Sequence, residues 1–249
     1  MPQFRHNPGP ARPVGRAGRL LALASGCALA GLAQSAPAAD CRATAAAQID
    51  WQECGKSNVI LRGSALAGAN LVGTDFAYSD LRESDLTGAN LEKATLTRAS
   101  LAGSNAEKAK FPRVEGYRAS FQGIAAGGAN FASAELQRAD FSDAKLDSSD
   151  FEKAELGRAN FTNAAITGTK FTSANLARAD LHAAQFSGPI DFAGAFLFMT
   201  RIEGLDLSAA TGLKQWQIDQ SCGDANTKLP ADLKPPAGWP CPPPEAPEQ

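Results

Sequence analysis

The feature that most constrains this sequence is a period of five residues that runs unbroken through its middle. In a column that starts at Leu61 and steps by five, 26 successive units follow to Phe186, and 23 of the 26 column residues are Leu, Phe or Ile. Two positions before each column residue, 23 of the 26 residues are Ala, Ser or Thr. A period of five fits neither an α-helix, which repeats about every 3.6 residues, nor a β-strand, which repeats about every 2. The chain must therefore turn a corner every five residues, with the large apolar residue and the small residue pointing inward.

A finer period of twenty indicates how many corners close one coil. The segment AELQRADF at residues 134–141 is nearly repeated as AELGRANF at residues 154–161. Four corners per coil explain this spacing, and the coils would stack by parallel backbone pairing about 4.7–4.9 Å apart. The units resemble those of the pentapeptide repeat family, whose motif is A-(D/N)-L-x-x, over residues 59–207. The resemblance implies an all-β fold, a right-handed parallel quadrilateral β-helix.

Two departures from the pattern predict irregular coils. Small residues replace the large apolar residue at Ala106, Gly116 and Ala126. Pro112 lies in the same stretch, so we expect a locally loose or bulged coil between residues 103 and 128. From Phe186 to the next column residue, Phe192, the step is six, so Gly188–Pro189 inserts one residue.

The segments outside the repeat predict two end caps, which a solenoid needs because its ends expose apolar layers and open strand edges. Residues 40–58 would form the N-terminal cap and residues 208–241 the C-terminal cap, the latter beginning with a short helix. The side chains expected to cover the ends are Ile49, Trp51, Leu213 and Trp216. The Pro-rich residues 242–249 are expected to be a disordered tail.

Four cysteines lie in these caps, and an even number in an exported protein indicates disulfides. They are Cys41, Cys54, Cys222 and Cys241. About seven coils would separate the caps by roughly 30–35 Å, whereas a disulfide spans only ~4.4–6.8 Å between Cα atoms. The pairing is therefore expected to be local, Cys41 with Cys54 and Cys222 with Cys241.

The N-terminus is typical of a secretory signal peptide, which we assign to residues 1–39. Four arginines precede the apolar stretch LLALASGCALAGLA, and the small residues Ala36 and Ala38 follow it. Cleavage would place the mature chain in the periplasm or outside the cell. It would leave 24 − 4 = 20 Lys and Arg against 26 Asp and Glu, a net charge of −6. The alternatives are an N-terminal membrane anchor and a lipoprotein acylated at Cys27.

A column of arginines, one per coil, is a candidate interaction surface. It comprises Arg98, Arg118, Arg138, Arg158 and Arg178. One interpretation is a linear strip that binds a polyanion. The other is a solvated ladder of ion pairs, which the flanking acids Glu115, Glu135, Glu155, Asp140 and Asp180 favour.

A second candidate surface lies in the stretch AFLFMT. Because Leu197 takes the inward position, Phe196, Phe198 and Met199 should point outward. Exposed apolar side chains in a group suggest an interface with a partner or in a homodimer. The favoured alternative is that the C-terminal cap, with Trp239, folds back over them.

Catalysis is poorly supported, and we predict no catalytic, cofactor-binding or metal-binding residue and no cofactor. After residue 39 the chain has one histidine, His182, and the repeat carries no inserted loops that could build a cleft. The best-understood proteins of the family are cytoplasmic DNA mimics that act on type II topoisomerases, and the resemblance extends neither to that location nor to strong acidity.

We therefore expect a non-catalytic, exported structural or protein-interaction module of the cell envelope. Its partner would be a protein or an envelope polyanion, with no nucleic acid expected and no transmembrane segment in the mature chain. The alternatives are a lipid-anchored envelope scaffold, a DNA-mimic modulator of type II topoisomerase, and an enzyme of unknown type.

Overall fold

A parallel ladder of single-residue β-bridges organises the chain. The computed structural model describes residues 39–241. Bridges join residues twenty apart, such as Asp50 with Asn70 and Asp140 with Asn160, and they recur every five residues. Because the chain turns after every bridge, no β-strand longer than one residue forms within residues 39–241. This is the stack of four-cornered coils that the period of five predicts.

Most corners are β-turns closed by their own main-chain hydrogen bond. In the unit that starts at Leu86, the N–H of Ala89 donates to the C=O of Leu86 at 2.9 Å, and Gly88 between them has φ +63°. A turn that places its third residue in the left-handed region favours glycine there. The remaining N–H and C=O groups point along the axis and bond to the coils above and below.

Phenylalanine rings from two opposite columns fill the centre of the rod. Phe111 stacks on Phe131 with centroids 4.6 Å apart, and Phe121 stacks on Phe141 at 4.7 Å. The two stacks meet edge to face, as between Phe111 and Phe121 at 6.0 Å and 90°. Each such pair adds about 0.5–1.5 kcal/mol beyond the burial of its area.

The expected loose or bulged coil between residues 103 and 128 is wrong. Bridges there keep the spacing of twenty, as between Asn105 and Ala125, and Ala106 and Ala126 are fully buried. The positions that lack a large column residue are therefore as well packed as the rest.

At Gly116 and Ala126, the volume missing from the column is supplied by the other inward position of the same unit. Val114 precedes Gly116 and Ile124 precedes Ala126, where other units carry Ala, Ser or Thr, and both Val114 and Ile124 are fully buried. Leu136, one coil above, also fills the space over Gly116, because a Cβ on Gly116 would lie 2.7 Å from Leu136 Cδ2.

The predicted one-residue insertion changes the register of the ladder. Ala165 bridges Gln185 at a spacing of twenty, whereas Lys170 bridges Asp191 at a spacing of 21. Gly188, in the insertion, has φ +115°. The next two bridges, Asn175 with Phe196 and Asp180 with Arg201, have the same spacing of 21.

The N-terminal cap is continuous with the first coil. Trp51 occupies the column position below Leu71 and is buried, and Ile49 is half-buried against the core, so both cover the lower end as predicted. Cys41 and Cys54 are joined by a disulfide with an S–S distance of 1.94 Å.

Of the two side chains expected to cover the upper end, Leu213 packs against the core and Trp216 does not. The helix of the C-terminal cap, α1, spans Gln215–Ile218, so Leu213 precedes it, and Trp216 is 44% exposed whereas Ile218 is fully buried. The helix buries Ile218 together with Gln217, whose Nε2 donates to the C=O groups of Phe192 and Ala195 at 2.9 Å each. The second local disulfide joins Cys222 and Cys241 with an S–S distance of 2.13 Å.

The predictions for the two ends of the chain lie outside the described residues. They concern residues 1–38, which include Cys27, and the tail at residues 242–249. None of the helices within residues 39–241 is long and apolar enough to cross a bilayer.

Candidate functional site

The five arginines form one straight row on a corner of the rod, which we call the arginine strip (Arg98, Arg118, Arg138, Arg158 and Arg178). All five side chains are exposed, and each residue is the third of a β-turn. The main chain links each member to the next coil: Arg138 N–H donates to Gly157 C=O at 2.9 Å, and Arg158 N–H donates to Ala177 C=O at 2.8 Å. Consecutive guanidinium groups therefore start one coil apart, about 4.7–4.9 Å.

The backbone of the strip lies in a region that disfavours large side chains. The five φ values run from +55° to +60°. On another corner the same turn position carries glycine at residues 68, 88, 128 and 168, whereas the corner of the strip has no glycine from Tyr78 to Met199. A side chain in the left-handed region costs about 1–2 kcal/mol per residue. Non-glycine residues take the same conformation at this turn position on other corners, as Lys93 and Lys153 do at φ +59° and +58°, so the positive φ belongs to the turn and does not by itself mark the strip as functional.

The predicted ladder of ion pairs is not formed. Ion pairs within residues 39–241 join other residues, including Arg62 with Glu83, Arg82 with Asp80 and Arg113 with Glu92. The acids beside the strip bond elsewhere: Asp140 accepts from Ser142 N–H at 3.0 Å, and Glu155 accepts from Asn175 Nδ2 at 2.8 Å. The guanidinium groups of the strip therefore face solvent.

Two tyrosines flank the N-terminal end of the strip. The guanidinium carbon of Arg98 lies 5.8 Å from the ring centroid of Tyr78, and that of Arg118 lies 5.4 Å from the ring of Tyr117. Both distances are within cation–π range. Both rings are exposed, so this end combines cationic and aromatic surface.

The apolar side chains Phe196, Phe198 and Met199, which we call the apolar patch, continue the same face at its C-terminal end. Arg178 N–H donates to Phe198 C=O at 2.8 Å, and Met199 has φ +53°, the next position of the arginine column. The two rings lie 6.1 Å apart, nearly parallel. Shifting the arginine column by the one inserted residue, from 178 to 199, joins the strip and the patch, and this shift is the signal in the sequence that the two surfaces share one face.

The expected cover over the apolar patch is absent. Phe196, Phe198 and Met199 are 42%, 41% and 37% exposed. Trp239 instead packs on Gly223, where a Cβ would lie 2.4 Å from the indole ring, and its Nε1 donates to Ser221 C=O at 2.7 Å. Exposed Trp216 in α1 adds to the apolar surface at this end of the rod.

Further titratable side chains lie outside this face. Within residues 39–241, no group of three or more His, Cys, Asp and Glu side chains could hold a metal ion. His182 is exposed and lies on the rim of a cleft of about 500 Å³ together with Glu203 and Asp206. Hydrogen bonds from Ser208 and Lys228 lower the pKa of Asp206 to about 2, so this carboxyl is ionised at neutral pH.

The fold and its lateral face define a class of repeat solenoids that present one long, regular surface. Comparison with known proteins identifies the class: a family model described as pentapeptide repeats matches eight copies, over residues 57–92, 79–115, 117–152, 127–163 and 154–188. The matches cover more than half of the sequence, and the chain belongs to the pentapeptide repeat family. Proteins of this family fold as right-handed quadrilateral β-helices.

Solved structures of other proteins of the family are similar to this chain. A pentapeptide repeat protein from the Arabidopsis thaliana thylakoid lumen is 29% identical over 39% of this chain and 68% of its own, with a TM-score of 0.39. HetL, involved in heterocyst differentiation regulation in Nostoc, is 24% identical over 75% and 87%, with a TM-score of 0.32. QnrB1, a plasmid-mediated fluoroquinolone resistance protein, is 16% identical over 72% and 92%, with a TM-score of 0.39. Comparison with curated proteins gives no match.

Proposed function

We propose that this protein is a non-catalytic, exported interaction module of the cell envelope that binds its partner through the face formed by the arginine strip and the apolar patch. One observation carries the proposal: this face leaves five guanidinium groups without ion pairs, among residues 39–241, beside three exposed apolar side chains.

The composition of the face supports a protein partner. Arginine and aromatic residues are enriched at the centres of protein interfaces and dominate their binding energy. Here Tyr78 and Tyr117 lie at one end of the arginines and Phe198 at the other. The coil ladder holds them in fixed positions, so little backbone ordering is needed on binding.

Export is supported by the chemistry of the caps and the N-terminus. Two disulfides in a chain of this size favour an oxidising compartment, and the basic, apolar and small-residue order of residues 1–39 favours a cleaved signal peptide. Acylation at Cys27 would make the same module a lipid-anchored scaffold. A DNA-mimic role is disfavoured because the bound face would present a row of cations.

An anionic envelope polymer is the second candidate partner. The strip repeats a cation about every 4.7–4.9 Å along a straight line, and its cations have no ion-pair partner among the described residues. Such a contact would depend strongly on ionic strength, because binding releases counterions from the polymer.

Capture from the envelope fraction of the source organism tests the proposal. Wild-type protein is compared with Arg138→Gln/Arg158→Gln, with Phe198→Ser, and with the control Lys93→Gln/Lys153→Gln, which removes two cations at the same turn position on another corner. We expect the first two variants to lose the captured partner and the control to retain it. Equal capture by all four proteins would contradict the use of this face.

Two measurements, each made at two ionic strengths, distinguish the two candidate partners. One is binding to lipopolysaccharide and the other is capture of a protein from the envelope fraction. A salt-sensitive loss confined to Arg138→Gln/Arg158→Gln would assign the strip to a polyanion. A protein captured equally at both ionic strengths, and lost with Phe198→Ser, would assign the face to a protein partner.

A further inference from the structure

The stack of coils parts at one corner, next to the one-residue insertion. A cleft of about 500 Å³ opens there between a lower edge at residues 182–186 and an upper edge at residues 203–206. The corner lies outside both the arginine strip and the apolar patch, so an inference from it is independent of the proposed function.

The ladder hydrogen bonds are missing across this cleft. One coil lower, Ile166 N–H donates to Gln185 C=O at 2.9 Å, and Gln185 N–H donates to Ala164 C=O at 2.8 Å. At the cleft, the groups that would make the equivalent bonds have no hydrogen-bond partner within residues 39–241. They are the N–H groups of Ala183, Phe186 and Asp206 and the C=O groups of Ala184, Glu203 and Asp206.

Both edges are held in place by bonds that lead away from the cleft. The upper edge is tied to the C-terminal cap, because Lys228 N–H donates to Leu205 C=O at 2.9 Å and Gly204 N–H donates to Asp224 Oδ1 at 3.0 Å. The lower edge is bonded to the coil beneath it through Gln185. The cleft therefore cannot close without breaking bonds on one side.

The ladder closes again on either side, so the cleft is bounded. Leu181 N–H donates to Arg201 C=O at 3.0 Å before the gap, and Thr211 N–H donates to Ile190 C=O at 2.8 Å after it. The extra residue at Gly188–Pro189 lies between these two points, and Pro189 has no N–H to donate to the coil above.

Apolar side chains line the opening. Phe186 is only half-buried, although Leu146 and Ile166 in the same column are fully buried. Ala184 and Leu205 are 8% and 4% exposed on the two edges. A ligand here would meet an apolar surface between two rows of unpaired main-chain groups.

We propose that this cleft accepts a short extended segment of a partner polypeptide as an added β-strand. Open strand edges are templates for such pairing, and a strand supplies donors and acceptors to both edges at once. A simple anion would satisfy the N–H groups alone and leave the carbonyls unpaired. The chain's own tail, PPPEAPEQ, has proline at four of its eight positions and cannot supply the donors.

Screening an immobilised library of capped hexapeptides composed of Val, Ile, Thr and Lys tests the proposal. We expect the purified full chain to select peptides that slow amide hydrogen exchange at Ala183, Phe186 and Asp206, with the already bonded amide of Ile166 unchanged as the matched control. N-methylation of the selected peptides at alternate residues should weaken binding about five- to tenfold per blocked hydrogen bond.

Two comparison proteins make the result decisive. Deleting Gly188 restores a coil of twenty residues and should abolish peptide binding, whereas Arg138→Gln/Arg158→Gln should retain it, whatever the fate of the proposed function. The proposal fails if no peptide prefers the wild-type chain to the deletion variant, or if N-methylated peptides bind equally well. It also fails if the amides of Phe186 and Ile166 exchange equally slowly in the free wild-type protein, a measurement that needs no variant.

Discussion

At the scale of single residues, the two inward positions of each five-residue unit share one volume. Gly116 and Ala126 leave the column nearly empty, and Val114 and Ile124 fill it from two residues earlier. The effect of a substitution at an inward position therefore depends on the other inward residue of the same unit and on the side chains of the neighbouring coil.

Replacing Gly116 by alanine should destabilise the protein. The new Cβ would lie 2.7 Å from Leu136 Cδ2, so the fully buried side chain of Leu136 would have to shift. Overpacking of this kind costs about 1–3 kcal/mol. Urea denaturation of Gly116→Ala should show a lower midpoint than wild type.

The matched control is Gly127→Ala. The nearest atom to its new Cβ is Asp147 O at 3.7 Å, and its φ is not positive. This substitution should be neutral or stabilise by about 0.4–1 kcal/mol through the unfolded chain. A midpoint that falls equally in both variants would contradict the volume argument.

At the scale of the turn, the aspartate before the column residue accepts a hydrogen bond from the main chain of the turn that follows. Asp140 Oδ1 accepts from Ser142 N–H, Asp150 Oδ1 from Glu152 N–H, and Asp85 Oδ1 from Thr87 N–H. This is an Asx-type turn, in which a short polar side chain bonds to the backbone two residues on. It gives a physical reason for Asp and Asn at this position of the repeat.

One of these aspartates should titrate well below its usual range. The side-chain hydrogen bond from Arg82 lowers the pKa of Asp80 from 3.8 to about 2. Because the folded pKa lies below the unfolded value, this carboxylate favours the fold above about pH 4, and its contribution is lost as the pH falls towards 2. NMR titration of the Asp80 carboxyl should show this midpoint.

Arg82→Gln isolates the cause. The substitution removes the hydrogen bond from the guanidinium group but keeps the one that Asp80 Oδ1 accepts from the backbone N–H of residue 82. The pKa of Asp80 should rise towards 3.8 while remaining somewhat below it. An unchanged midpoint in the variant would show that the arginine is not responsible.

The coil and the insertion were predictable from the sequence, because each depends on a residue's place in the period of five. The prediction of a loose coil at residues 103–128 is wrong because it considers only the column residues. It leaves out Val114, whose volume replaces the volume missing at Gly116. The ion pairs expected along the arginine strip are not formed either. The spacing of the residues does not give side-chain directions, and these directions decide the partners of Asp140 and Glu155. The parted corner was not predictable, because a one-residue insertion does not reveal which ladder bonds it breaks.

At the scale of the whole molecule, the two disulfides connect the capping of the rod with the proposed export. The two disulfides close loops with sequence separations of 13 and 19 residues, one at each end of the stack. Loops of this length stabilise by roughly 3 kcal/mol in the chain-entropy account. This stabilisation requires a compartment that keeps the cysteines oxidised.

Intact-mass measurement of protein from its native host should therefore show a chain that starts near Asp40 with four cysteines oxidised. Cleavage after the small residues that end at Ala39 gives this start. A chain that begins at an acylated Cys27 would establish the lipoprotein alternative. A full-length, reduced chain would contradict export.

The parted corner also sets how the rod responds to mechanical load. Tension along the axis acts on successive layers in series, so the layer with the fewest bonds yields first. The corner between residues 182–186 and 203–206 lacks three ladder hydrogen bonds, so we expect the coils to separate there first, while Cys41–Cys54 and Cys222–Cys241 each cross-link residues within one terminal segment. Single-molecule pulling should record its first rupture at this layer, with the uppermost coil and its cap detaching together as one intact block.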